Sequence, residues 1–264
     1  LSATMTVAVV IPAYNEAATI ADIVRRARQQ IEPVIVVDDG SRDDTAAQAE
    51  ASGAVILRQT TNQGKGASLW RGMHYAVEQG AEAIVTLDAD GQHRPEDIPK
   101  LLAAWQRWPG RPIIAARLEH RECAPPLRRF ANGMADFWVS WAAGCPISDT
   151  QSGFRLYPAE FLRRATGPEK GRHGFAFESA LLIQAGYWRC YPKVVAIETL
   201  YPTQARPSHY RPWRDTLRIV NLVAWSLLKR GMYPVGLLRS LRLLPLPTLG
   251  REISSKQQET GGRR

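Results

Sequence analysis

Three clusters of oxygen-bearing side chains each follow a short apolar run. Pro12-Ala13-Tyr14-Asn15-Glu16 follows residues 7–11, Asp38-Asp39-Gly40-Ser41 follows 34–37, and Asp88-Ala89-Asp90-Gly91-Gln92-His93 follows 83–87. Acidic residues after a strand often cap the next helix, and that reading suits Ser41 or Asp43. It does not suit Asp88 and Asp90, which precede the next helix-opening proline, Pro95, by several residues. Asp88, Asp90 and Gln92 offer only hard oxygen donors, a set that suits Mg²⁺ or Mn²⁺ held partly by phosphate oxygens. An ion so placed would neutralise a departing nucleoside diphosphate as a Lewis acid.

A fourth segment, Asn62-Gln63-Gly64-Lys65-Gly66, opens a helical pattern. Its glycines let backbone approach a ligand, and a helix N-terminus favours anions. Lys65 either meets such an anion or is a solvated first-turn lysine. The segment is not GxxxxGK[ST], and no GxGxxG follows the first apolar run, so neither a P-loop nor a dinucleotide fingerprint is present.

These clusters must be positioned by a scaffold. Residues 7–11, 34–37, 54–57, 83–87 and 113–116 read as buried strands, and 18–30, 44–52, 65–79 and 95–105 as helices between them. Continuous β-branched runs joined by helices predict an α/β fold: a mostly parallel central sheet with helices on both faces. Ligands of such sheets bind beyond the carboxyl ends of the strands, where the three clusters fall. Beyond Arg117 the pattern loosens. Residues 127–143 read as a helix, 152–157 as a strand, 177–185 as a helix and 194–199 as a strand. Trp138, Trp141 and Trp188 read as core aromatics rather than sugar platforms. C-terminal amphipathic helices follow, over 214–230 and 235–244, mixing Arg and Lys with Leu and Trp.

With 264 residues, 45% hydrophobic and 22% charged, the chain is an ordinary globular one, not a disordered, collagenous or coiled-coil chain. Three scattered cysteines without a CxxC pair exclude a zinc ribbon and predict a reducing compartment. Neither a signal-peptide pattern at residues 1–6 nor an 18-residue apolar stretch is read. Residues 1–205 carry 22 basic and 22 acidic side chains, so the formal charge of +9 lies entirely beyond them. Eight basic residues and one acidic one stand in 206–242. Basic charge among leucines in a helix too short to span reads as a helix on an anionic membrane surface, its expected partner, or else as one docked on the domain's own core. A DNA-binding motif and an array of stacking aromatics are absent, so no nucleic acid is expected.

IPAYNEAATI, VVDDGSRDDT, NQGKGAS, LDADGQHRP and DTQSGFRLY, in this order, resemble the family 2 glycosyltransferases of the GT-A fold, and within them the dolichol- or polyprenyl-phosphate sugar synthases. The resemblance covers about residues 6–200. It implies a Rossmann-like GT-A catalytic domain over 1–205, with a nucleotide-binding half at about 6–117 and an acceptor half at about 118–205. A basic amphipathic segment, 206–247, and a disordered tail, 248–264, would follow. It further implies that Pro12, Ala13, Tyr14, Glu16, Asp38 and Asp39 hold the nucleotide. Asp88, Asp90 and Gln92 would bind the metal and the donor diphosphate, with Asp90 at the reacting centre. Arg117, Arg128 and Ser152 would receive the acceptor's phosphate. Arg206, His209 and Arg211 would meet the donor phosphates, with His209 standing where the family usually has lysine.

An acceptor phosphate is already an anionic nucleophile, so cations rather than a base are needed. If the acceptor is a hydroxyl, a carboxylate must take its proton. Asp149 is then the base, and otherwise a turn residue. Glu178 is either an acceptor-side residue or half of a buried salt bridge, and His93 stands behind the metal motif. The resulting expectation is an inverting, Mg²⁺- or Mn²⁺-dependent glycosyltransferase. It would use a UDP- or GDP-sugar and a polyprenyl-phosphate-type lipid, lying peripherally on the inner face of the cytoplasmic membrane. A hydroxyl-bearing glycolipid or polysaccharide is the alternative acceptor. A silent nucleotide-sugar-binding scaffold is the alternative class, against which the intact DADGQ motif argues.

Overall fold

The computed structural model describes residues 6–117, 126–167, 176–198 and 212–247, apart from the side chains of 126–128 and 212–215. The first part alternates β1 (Val7–Ala13), α1 (Ile20–Arg28), β2 (Val34–Asp38), α2 (Thr45–Ala51), β3 (Val55–Arg58), α3 (Lys65–Glu78) and β4 (Ala83–Thr86). A 3₁₀ turn (Pro95–Asp97) leads into α4 (Ile98–Arg107), followed by β5 (Ile113–Ala116), α5 (Pro126–Ala143), β6 (Arg155–Pro158), α6 (Ala159–Arg164), α7 (Ala176–Tyr187) and β7 (Lys193–Ala196). Helices α8 (Pro212–Leu228) and α9 (Pro234–Ser240) close the described chain.

The strands order as β3-β2-β1-β4-β6-β5-β7 in one seven-stranded sheet. All neighbours are parallel except β6, which runs antiparallel to both β4 and β5. Alternation along the strands feeds both faces. Val9, Ile11 and Val36 pack with Ile20, Val24, Ile98 and Leu101 of α1 and α4 on one side. Val10, Ile35 and Val37 pack with Leu69, Met73 and Leu181 of α3 and α7 on the other.

Register brings the clusters together. Ala13 pairs with Asp38, and Thr86 pairs with both Val10 and Arg155. Because β6 is antiparallel, its N-terminal approach, 152–154, runs beside the C-terminal ends of β4 and β5. A parallel strand there would have carried the SGF motif to the opposite edge.

A third core joins Val139, Ala142 and Ala143 of α5, Leu182 and Ile183 of α7, and Ile219, Val223 and Leu227 of α8. Helix α8 therefore has a docked face and an outward one carrying Leu217, Val220, Trp225 and Leu228. The turn into α9 is pinned by Trp141, whose Nε1 donates to the carbonyls of Met232 (3.1 Å) and Tyr233 (3.2 Å). Trp188 packs against the core as expected. Trp138 does not: it is 37% exposed and stacks on Trp141 at the surface. Residues 206–211 and 248–264 lie outside the described residues.

Helices α5 and α7 approach closely at Gly186, where an added Cβ would stand 2.0 Å from the Ala143 carbonyl oxygen. Backbone cannot yield as a flexible side chain can. Gly186→Ala should therefore cost about 1–3 kcal/mol of stability, read as a lower urea midpoint at unchanged slope.

Candidate active site

The first two strand ends are tied to each other before any ligand is considered. Asn15, at φ 56°, accepts from the Arg42 N–H through Oδ1 (2.9 Å), and its own N–H donates to Ser41 Oγ (2.9 Å). The Glu16 N–H donates to Thr45 Oγ1 at 2.8 Å. Thr19 Oγ1 donates to the Ala89 carbonyl at 2.6 Å, linking this loop to the DAD segment. Pro12, Tyr14 and Glu16 stand half-buried beside buried Ala13.

Asp38 is fully buried; Oδ1 accepts from the Ser41 N–H (2.9 Å) and Oδ2 from Arg58 Nε (3.2 Å). A cavity of about 510 Å³ opens beyond β2 and β3, lined by Gly40, Ser41, Arg42, Arg58, Gln59 and Thr60. That volume suits a small ligand. Asp39 departs from the expected role. Its carboxylate accepts from the Gln63 and Gly64 N–H groups (both 2.8 Å) and from Gln59 Nε2 (3.1 Å), so it fixes the NQGKG loop. Burial raises this carboxyl despite those donors.

Held this way, Lys65 turns inward. Its Nζ lies 2.7 Å from Asp88 Oδ1 and 3.0 Å from Glu178 Oε2. Lys65 is thus neither a solvated lysine nor directed at an open anion site. Burial would lower its pKa, but the two carboxylates hold it well above the ordinary range. Burial would likewise raise Asp88, yet Lys65 keeps it below the usual carboxylate range. Gly153 of the SGF motif is required here, because a Cβ would meet Asp88 Oδ2 at 2.3 Å.

Asp90 is exposed, and its Oδ1 accepts from the Gln92 N–H at 3.0 Å. Partial loss of solvent, and then the charge of Asp88, raise its carboxyl. His93 is buried against Phe154, and burial pushes it down to about 4, so the imidazole is neutral. Among the described residues no group of three His, Cys, Asp or Glu side chains surrounds a common point. Asp88 faces Lys65, and Asp90 stands exposed, near enough for the Asp88 charge to raise its carboxyl. The donor set still fits a divalent cation. It is all oxygen, one carboxylate is open, and two neighbouring like charges are relieved by a dication.

Arg117, at the end of β5, is clamped by Asp149. Its backbone N–H (2.8 Å) and Nε (2.9 Å) reach Oδ2, and Nη2 reaches Oδ1 (2.8 Å). Asp149 sits at φ 54°, held by Asp136 of α5, which accepts from the N–H groups of Asp149 (3.0 Å) and Thr150 (2.8 Å). Burial would raise the Asp149 carboxyl, but Arg117 outweighs it and holds it below the ordinary range. A carboxylate so occupied is a poor base, which counts against the expected alternative role.

Ser152 is also turned to its own loop: Oγ donates to the Ala115 carbonyl (2.7 Å) and accepts from the Phe154 N–H (3.3 Å). Fully buried Arg155 completes the turn through the carbonyls of Ser152 (2.7 Å), Thr150 (2.8 Å) and Glu178 (2.8 Å). The roles of Asp136, Arg155, Arg58 and Gln59 follow from no motif or spacing in the sequence. Only Arg155, a charge inside an apolar strand, carried a readable signal. The Arg128 side chain and all of Arg206, His209 and Arg211 lie outside the described residues.

The description "Glycosyl transferase family 2" matches residues 8–142, about half of the chain. An undecaprenyl-phosphate mannosyltransferase from Micrococcus luteus is 30% identical, over 66% of this chain and 75% of its own. A UDP-N-acetylglucosamine–dolichyl-phosphate N-acetylglucosaminyltransferase from Methanococcus voltae is 26% identical, over 66% and 78%. Glucosyl-3-phosphoglycerate synthase from Mycobacterium tuberculosis, solved with Mg²⁺ and UDP, superposes with a TM-score of 0.60 at 25% identity, over 88% of this chain and 81% of that one.

Proposed function

The chain belongs to glycosyl transferase family 2, and from that membership we propose that it moves a sugar from a UDP- or GDP-sugar to a polyprenyl-phosphate-type lipid. The observation that carries this reading is one sheet edge holding, in order, an open cavity of about 510 Å³, the exposed Asp90 carboxylate beside Asp88, and the clamped Arg117 cation. A divalent ion bound there would supply charge neutralisation on the leaving diphosphate, held by Asp88 and Asp90 with Gln92 beside them. Asp38 and the loop it braces orient the nucleoside. The fork of Arg117, fixed by Asp149 and lying near Asp88 and Asp90, orients an acceptor phosphate toward the donor. Such an acceptor needs no base, which agrees with an Asp149 already committed to Arg117. The relatives named for undecaprenyl- and dolichyl-phosphate transfer support the lipid acceptor.

Radiolabelled UDP- and GDP-sugars, incubated with polyprenyl phosphate and Mn²⁺, should yield an organic-soluble product lost on chelation. Turnover only with a hydroxyl acceptor, or none with any donor, would overturn the assignment.

We further propose that the enzyme lies peripherally on an anionic membrane at its cytoplasmic face. Among the described residues no helix is long and apolar enough to cross a membrane. The outward sides of α5 and α8 and the turn after α9 instead expose Phe130 (68%), Trp225 (62%), Leu228 (61%) and Leu243 (67%), flanked by exposed Arg129, Lys229 and Arg242. Apolar area rimmed by cations suits an interface with anionic headgroups. Trp225→Asp with Leu228→Asp should weaken binding to phosphatidylglycerol-containing vesicles by at least about tenfold, given about 1.5–3 kcal/mol per large apolar side chain buried. Flotation measures this; unchanged binding would remove α8 from the interface.

A further inference from the structure

Lys65, Asp88 and Glu178 come from the first turn of α3, the end of β4 and the first turn of α7, and together they form one enclosed row of charges. Lys65 Nζ is shared almost evenly, at 2.7 Å from Asp88 and 3.0 Å from Glu178. The Glu178 side chain is 8% exposed, and its other oxygen, Oε1, is buried without a hydrogen-bond partner. Lys65 is the cation in contact with the Glu178 carboxylate, and the buried Arg155 charge acts on it from further away. Beneath it, Arg155 donates to the Glu178 carbonyl (2.8 Å), which fixes the start of α7.

We propose that Glu178 is a positioning residue for the divalent cation: by drawing off part of the Lys65 charge, it sets how much negative charge Asp88 presents to the metal. The proposal rests on the cation-dependent reading above and adds a residue on α7 to it. With Glu178 in place the three side chains sum to one negative charge. Without its charge, Lys65 and Asp88 neutralise each other, and a cation approaching the acidic pair is drawn by Asp90 alone. Buried charges at these separations are weakly screened, so the difference is felt at the metal.

The test is a charge cycle on the full chain, read by the electron paramagnetic resonance signal of free Mn²⁺ in titrations with saturating UDP, and separately GDP. Circular dichroism melts verify folding. Glu178→Gln keeps the shape of the side chain and should weaken Mn²⁺ binding about tenfold, the scale of losing a partner that supports a metal ligand. Adding Lys65→Met to Glu178→Gln restores one net negative charge and should bring the affinity back to within about threefold of wild type, a recovery that a purely structural role would not give. Glu178→Gln binding Mn²⁺ within twofold of wild type, or the double variant binding no better than the single, would overturn the proposal. Wild type failing to bind Mn²⁺ with either nucleotide would overturn it by removing the cation reading beneath it, a result separable from the other two.

Discussion

Asp90→Ala should lower kcat for sugar transfer by about 10³-fold, equivalent to about 4 kcal/mol of barrier, while leaving the melting temperature within a few degrees of wild type. The two halves of this expectation have different origins. Catalytically, Asp90 is the open carboxylate of the acidic pair, so under the proposed function its loss would remove the anchor of the cation on the leaving diphosphate. Structurally, its raised carboxyl means that the folded chain disfavours its charge at neutral pH, so removing it relieves repulsion with Asp88. Asp88→Ala behaves differently. It removes one of the two carboxylates on Lys65 and leaves that lysine with Glu178 alone, so stability should fall along with activity. Mn²⁺ titration of activity and parallel melts separate the two variants. Near-wild-type turnover by Asp90→Ala would remove the acidic edge from the chemistry.

Much of this edge was readable before any coordinates. Residues 7–11, 34–37 and 83–87 are apolar on both sheet faces and followed at once by chemistry-bearing side chains, so strand identity and cluster position came from one pattern. Strand direction did not. Arg155–Pro158 is a short run with no sign of its orientation, and only its pairing reveals that it enters antiparallel and returns the SGF motif to the edge. Side-chain partnership was also hidden. Asp39 reads as a ligand-facing carboxylate because its neighbours are acidic and glycine-rich, yet its donors are the N–H groups of Gln63 and Gly64. Glu178 and Lys65 sit on helices distant in sequence, and no local spacing couples them. For α8 the amphipathic pattern allowed either a docked helix or a membrane-facing one. One face of the helix is docked, with Ile219, Val223 and Leu227 buried, while Trp225 and Leu228 on the other stay exposed.

Substitution of Asp149 distinguishes the two acceptor chemistries and also probes the fold. Asp149→Ala leaves the Arg117 guanidinium, 17% exposed, without its two-oxygen partner, and breaking such a pair costs about 3–5 kcal/mol. Asp149→Asn is gentler, since one oxygen remains to accept from Arg117, and its stability cost should be about 2 kcal/mol, the range of a lost charge-assisted hydrogen bond. The pH dependence has a defined sign. The folded carboxyl lies below its unfolded value, so its contribution is complete above the ordinary aspartate range of about 4 and disappears as the pH falls through the folded value. Asp149→Asn should accordingly show a shallower acid limb in stability than wild type. Transfer to polyprenyl phosphate by this variant should drop about tenfold, through a loosened Arg117 rather than a missing base, the low end of the range for losing a positioning contact. A base would leave a different trace. Loss of about 10³-fold or more, with an acid limb of kcat reporting one ionisation that the variant lacks, would assign Asp149 a proton in the reaction and turn the acceptor into a hydroxyl.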